Sequence, residues 1–82
     1  KGITWEMMRL TFHDKRETID ISIESAKANW LVKALDLLSV NNDKTITYAQ
    51  LKTDFENHFE DFELFWYSKP IKSLREYGLL VI

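Results

Sequence analysis

The chain has 82 residues, enough for one domain, of which 45% are hydrophobic and 29% charged, and its formal net charge is −2. A net negative charge disfavours generic nucleic-acid binding, and the absence of cysteine excludes disulfides and thiolate metal sites. No apolar run approaches the ~20 residues of a membrane span, and no signal-peptide pattern opens the sequence. We therefore predict one cytoplasmic domain over residues 1–82, without a membrane partner. Because the sequence stops inside an apolar run, we expect it to belong to a longer protein.

An N-terminal β-hairpin is predicted from two stretches of alternating apolar residues. The first strand covers residues 3–12 and the second covers residues 18–24, with a polar loop of hairpin length between them. The inward positions of the second strand are Ile19, Ile21 and Ile23. In the first strand the apolar face changes near Met7 and Met8, which indicates a bulge or a strand covered on both sides.

A long helix over residues 26–40 is predicted to follow the hairpin. Ser25 can cap its start, and Asn41 or Asn42 can take the left-handed conformation that ends a helix. Its apolar positions are Trp30, Leu31, Ala34, Leu35, Leu37 and Leu38. So broad an apolar face predicts a central helix that other elements cover.

The second predicted helix covers residues 48–58 and opens with the strongest local signal in the chain. Thr47 and Gln50 have the spacing of a capping box, in which each side chain binds the other residue's backbone N–H. Ile46 and Leu51 have the spacing of a hydrophobic staple. The inward residues are Leu51, Phe55 and Phe59, and the outward residues are Asp54, Glu56 and Asn57.

Six aromatic residues lie within thirteen positions: Phe55, Phe59, Phe62, Phe65, Trp66 and Tyr67. Such a cluster can be a ligand pocket or a base-stacking platform, but aromatics at helical spacing in a small domain are usually core. We therefore predict that the core is heaviest here, with residues 62–66 forming a helical turn.

A third helix over residues 68–77 is predicted to run into a short final strand. Ser68 can cap its start, Pro70 suits its first turn, and Gly78 can end it in a left-handed cap. The apolar side of this helix consists of Ile71 and Leu74. Residues 79–82 then form a strand, which we expect to join the hairpin in a small antiparallel sheet.

The order of these elements resembles the winged-helix superfamily. The resemblance is carried by the capped segment TYAQL at residues 47–51 and by SKPIKSLREYGLL at residues 68–80. It implies an α+β domain with an N-terminal β-hairpin, a three-helix, helix-turn-helix-like core and a C-terminal strand that completes the antiparallel sheet. It departs from the usual pattern because the hairpin precedes the first helix, and the usual wing is missing or lies beyond Ile82.

The first functional hypothesis is binding of double-stranded DNA, with the third helix as recognition element. Helix residues Lys69, Lys72 and Ser73 lie opposite the apolar side, and Arg75 adds a further positive charge. The hairpin-loop residues Lys15 and Arg16 can add contacts to the DNA backbone. The alternative for all of them is an ordinary solvated surface, and Glu76 weakens the basic character of the helix.

The second functional hypothesis is a protein-interaction or dimerisation domain that does not bind nucleic acid. The second helix is acidic, and its residues Asp54 and Glu56 are candidates for the interaction surface. Trp5 lies on the outer side of the hairpin, where one face of a small sheet can stay open. An exposed strand edge also invites a strand from a partner or from a second copy.

Catalytic, metal and cofactor sites are not indicated. Two isolated glycines cannot build a phosphate loop, and no serine lies near a histidine in sequence. Asp54 and His58 share a helix face, but zinc needs at least three protein ligands and His13 is the only other histidine. The acids Glu60, Asp61 and Glu63 suit a helix start better than acid–base chemistry. We therefore predict no enzymatic activity, no cofactor and no small-molecule substrate.

Overall fold

The computed structural model of the protein describes residues 2–12, 17–37 and 45–82. In chain order, its elements are β1 (Trp5–Phe12), β2 (Glu17–Glu24), α1 (Ser25–Leu37), β3 (Ile46–Thr47), α2 (Tyr48–Glu56), α3 (Phe62–Trp66), α4 (Lys69–Glu76) and β4 (Leu80–Val81). The predicted α+β class is confirmed. None of the helices in these segments is both long and apolar enough to cross a membrane.

The N-terminal hairpin is confirmed, with β1 and β2 antiparallel. The inward positions predicted for β2, Ile19, Ile21 and Ile23, are all buried. The predicted bulge is wrong, because the pairing runs without interruption from Trp5 opposite Glu24 to Phe12 opposite Glu17. The apolar residues change from odd to even positions in the sequence because β1 carries apolar side chains on both faces: Met8 is buried, whereas Trp5 and Met7 are exposed on the outer face.

Helix α1 lies across the hairpin, and the backbone N–H of Ser25 donates to the carbonyl of Thr4 at 2.9 Å. The predicted inward residues Trp30, Leu31, Ala34 and Leu35 are buried. The predicted continuation to Val40 and the cap at Asn41 or Asn42 lie outside the described residues.

The capping box at the start of α2 is confirmed. The Gln50 backbone N–H donates to Thr47 Oγ1 at 3.1 Å, and the Thr47 backbone N–H donates to Gln50 Oε1 at 3.0 Å. The helix ends at Glu56, two residues earlier than predicted. Asp54 was predicted to face outward but is half-buried, because the indole Nε1–H of Trp30 donates to its Oδ2 at 2.7 Å.

The predicted helical turn at residues 62–66 is a helix of its own, so the described segments contain four helices rather than the predicted three. α2 ends at Glu56, and Asp61, directly before α3, adopts the left-handed conformation, with φ of 64°. The predicted aromatic core is confirmed for Phe55, Phe62, Phe65 and Trp66, which are buried, whereas Phe59 is half-buried and Tyr67 is exposed. Phe55 stacks on Phe65 with ring centroids 4.5 Å apart, and Trp30 meets Phe55 edge-on at 5.3 Å.

Helix α4 begins after Ser68, but the predicted side-chain cap is wrong. The Ser68 hydroxyl instead donates to the carbonyl of Phe65 at 2.6 Å and so ties the start of α4 to the end of α3. The predicted left-handed end is confirmed, because Gly78 has φ of 82°. The N–H of Gly78 donates to the carbonyl of Arg75, and the N–H of Leu79 donates to that of Leu74, each at 3.0 Å. These two bonds form a Schellman motif.

The final strand does not join the hairpin, so that prediction is wrong. β4 pairs in parallel with β3, with Ile46 opposite Leu80 and Thr47 opposite Val81. The turn at Gly78 directs the chain toward the start of α2, where the backbone N–H of Ile46 donates to the carbonyl of Leu79 at 2.8 Å. The part of the C-terminal segment that packs against β2 is helix α4.

Candidate functional site

The predicted recognition surface on α4 is partly present. Ile71 and Leu74 are fully buried, so Lys69 and Lys72 lie exposed on the opposite side, and Ser73 is half-buried. The predicted loop residues Lys15 and Arg16 lie outside the described residues.

Arg75 differs from the two lysines because its guanidinium is bound within the domain. Its Cζ lies 5.0 Å from the ring centroid of Trp66 and 5.4 Å from that of Tyr67, and Nη2 donates to the Trp66 carbonyl at 3.3 Å. A guanidinium over aromatic faces is held by cation–π attraction. Arg75 therefore connects α4 to the end of α3.

The three residues predicted for a protein-interaction surface are not brought together into one patch. Trp5 is 62% exposed on the hairpin, and Glu56 is exposed at the end of α2. Asp54 binds the indole of Trp30, which is a structural role.

A groove of about 500 Å³ lies between the hairpin and the helices α3 and α4, and we call it the hairpin groove. Its wall includes Trp5, Ser22, Lys27, Asp61, Leu64 and Lys69. Leu64 is 75% exposed on the outer side of α3. The groove therefore has large, solvent-exposed apolar side chains from two separate elements.

The charges of the hairpin groove fall into a neutralised pair and an unpaired set. Lys27 Nζ lies 2.6 Å from Glu24 Oε1 and 5.2 Å from the ring centroid of Phe59, so this ion pair is held in place. Glu60 and Asp61 also line the groove, and neither side chain makes an ion pair or hydrogen bond with a described residue. The Lys69 side chain likewise makes no ion pair or hydrogen bond with a described residue. The unpaired groups of the groove thus carry two negative charges and one positive charge.

The β2 edge of the groove carries backbone groups that point away from β1. The bond from the Ser25 N–H to the Thr4 carbonyl identifies which residue pairs of the antiparallel hairpin exchange backbone hydrogen bonds. Alternate residues of a strand bond the partner, and those between them direct their N–H and C=O outward. Asp20 and Ser22 belong to the outward set, and no described strand pairs with them on that side.

The described residues contain no group of three or more histidine, aspartate or glutamate side chains placed to hold a metal ion. Asp54 accepts a hydrogen bond from Trp30, whereas His58 is exposed, so these two side chains lie in different surroundings. The sequence-based prediction of no enzymatic activity remains a prediction.

Trp5 was predicted from the sequence as a candidate interaction residue, whereas the residues on the other side of the groove were not. Leu64 could have been found, because Phe62, Phe65 and Trp66 share one helix side and leave it on the other. Ser22 and Lys69 come from distant segments, and no local pattern predicts that they meet.

Comparison with protein-family models gives no match, and the searches of curated proteins and of solved structures give no match either.

Proposed function

We propose that this domain is a protein-binding module that holds its partner in the hairpin groove. The observation that carries the proposal is the position of Trp5 and Leu64, which are 62% and 75% exposed on the two sides of one groove. Burial of a large apolar side chain contributes about 1.5–3 kcal/mol, so these two residues offer a partner a substantial gain.

The arrangement of the groove also has the anatomy of a protein interface. Such interfaces combine apolar anchors, among which tryptophan is enriched, with a polar rim. Here the charged side chains of Lys27, Asp61 and Lys69 line the same groove as the two apolar residues. An occupant that covers the apolar pair would leave these charges near solvent or near its own polar groups.

The proposal is tested by selecting peptides from a random library displayed on phage and measuring their affinity by fluorescence anisotropy. The double variant Trp5→Ser/Leu64→Ser should bind selected peptides at least tenfold more weakly, because about 1.4 kcal/mol of lost burial is tenfold in affinity. The matched control is Val32→Ser, which changes an apolar residue of α1 that is 46% exposed and does not line the groove. Failure to select peptides, or equal binding to all three proteins, would overturn the proposal.

A second candidate function, binding of duplex DNA through α4, is favoured by the exposed Lys69 and Lys72. The winged-helix interpretation of the fold belongs with it, since α1, α2 and α4 would then be the three helices and α4 the recognition helix. Two observations make it the weaker candidate: Arg75 is bound to Trp66, and Lys69 shares the groove with unpaired acids.

Binding of duplex DNA can be tested by measuring how affinity depends on salt. Duplex affinity should fall steeply with salt, and Lys72→Gln should reduce the slope of log affinity against log salt by about 1. Absence of binding to a fluorescent duplex at low salt would exclude this function for the domain.

A further inference from the structure

We infer that the occupant of the hairpin groove is an extended, basic segment of a partner protein. In this arrangement the segment's backbone pairs with the edge of β2 at Ser22, an apolar side chain lies between Trp5 and Leu64, and a lysine or arginine faces Glu60 and Asp61. The inference rests on the proposed function and adds the conformation and the charge of the partner.

The extended conformation follows from the strand edge in the wall of the groove. Ser22 lines the groove, and the phase of the hairpin directs its N–H and C=O away from β1. A peptide that adds to a sheet edge satisfies such groups with its own backbone and places alternate side chains to either side. A helix offers few free backbone groups to this edge, because its N–H and C=O groups bond one another within the helix.

The basic character follows from the charges that remain unpaired. Glu24 is already neutralised by Lys27 at 2.6 Å, so it offers little to a ligand. Glu60 and Asp61 have no such partner among the described residues. Opposite charges across an interface select the partner and raise the rate of encounter, so a basic side chain is preferred here.

Asp61 adds a backbone observation at the same place. It is the only residue other than glycine with positive φ among those described, and it lines the groove. The left-handed conformation is unfavourable for most residues, and aspartate and asparagine tolerate it best. Asp61→Asn therefore removes the charge while keeping a residue suited to this backbone, which makes it a clean probe.

The experiment uses peptides selected from the same random library and measures their affinity for variants of the groove by fluorescence anisotropy. Selected peptides should share a lysine or arginine beside an apolar residue. Asp61→Asn should weaken binding about threefold, and Glu60→Lys roughly three- to tenfold, with partial recovery when the basic residue of the peptide is changed to glutamate. Glu56→Lys, which makes the same charge change outside the groove, is the matched control and should have a smaller effect.

A second arm tests the backbone pairing. N-methylation of single peptide residues removes one backbone donor at a time, and at least one position should lose about tenfold in affinity while its neighbours lose little, because donors alternate along a strand. Uniform tolerance of N-methylation would overturn the extended pairing. Equal effects of Glu60→Lys and Glu56→Lys would overturn the charge assignment.

The possible results distinguish a failure of this inference from a failure of the proposed function. Selected peptides that lack a basic residue but still depend on Trp5 and Leu64 would refute the inference and leave the proposed function standing. Peptides that bind the Trp5→Ser/Leu64→Ser variant normally would refute both. Concentration-dependent sedimentation that the same double variant abolishes would identify a second copy as the occupant and overturn the assignment of a foreign segment.

Discussion

The substitution Gly78→Ala tests the joint between α4 and β4. Gly78 has φ of 82°, and a side-chain Cβ in this region costs about 1–2 kcal/mol. Replacing glycine also restricts the unfolded chain, which offsets about 0.4–1 kcal/mol of that cost. We therefore expect a net loss near 1 kcal/mol, which lowers the melting temperature of a domain of this size by about 4–8 °C.

Thermal melting followed by circular dichroism measures this change. Gly2→Ala is the matched control, because a Cβ at Gly2 meets no heavy atom within 4 Å, and its melting temperature should stay near that of the parent. Gly78→Asn should lose less than Gly78→Ala, since asparagine tolerates the left-handed conformation. If Gly78→Ala melts together with the parent, α4 does not end in a Schellman motif and the parallel pairing of β3 with β4 loses its cause.

Three further expectations concern the core and its hydrogen bonds. Asp54→Ala leaves the buried indole N–H of Trp30 without an acceptor, so urea unfolding should show a loss of about 1–3 kcal/mol that largely disappears in a Trp30→Phe background; an undiminished loss there would exclude the bond as the cause. The Tyr48 hydroxyl donates to the Glu63 carboxylate, and this hydrogen bond raises the pKa of the Tyr48 phenol above the ordinary 10.0. The stabilisation from the bond is complete below that ordinary pKa and disappears as pH rises through the higher folded pKa. The part of the ultraviolet titration that Tyr48→Phe removes should ionise above pH 10.0, and a Tyr48 contribution that ionises at or below this pH would contradict the expectation. Leu80→Ala should cost about 2–5 kcal/mol, whereas Ile82→Ala, at a side chain 97% exposed, should change stability by less than about 0.5 kcal/mol in the same urea assay; equal effects would refute the packing of β4.

Local patterns in the sequence predicted the elements whose cause is local. The alternation of Ile19, Ile21 and Ile23 predicted the buried face of β2, and the spacing of Thr47 and Gln50 predicted the start of α2. In each case a repeat of two residues or a reciprocal pair of side chains within one turn determines the structure.

Contacts between distant segments explain where the predictions were wrong. The partner of β4 is set by the direction in which the chain leaves Gly78, and by the N–H of Ile46, which donates to the Leu79 carbonyl. Asp54 was assigned to solvent because its helix position is polar, but the buried indole of Trp30, 24 residues earlier, requires an acceptor. α3 begins directly after Asp61, whose left-handed conformation no glycine marks in the sequence.

The candidate site was predictable only in part for the same reason. Trp5 stood out because an aromatic residue on the outer face of a hairpin has no obvious place in the core. Its position opposite Leu64 depends on how α3 packs, which the sequence alone does not indicate. The basic residues of α4 were visible in the sequence, but the use of Arg75 within the domain was not.

Lys69→Glu tests the central claim most directly, because Lys69 belongs both to the hairpin groove and to the exposed side of α4. A glutamate in the first turn of a helix is favourable to the helix dipole, so the variant should remain folded. If the groove binds a basic segment of a partner, the added negative charge should tighten binding of the selected peptides roughly three- to tenfold and steepen its dependence on salt. Weaker peptide binding, together with loss of affinity for duplex DNA, would contradict the protein-binding role and favour the DNA-binding one.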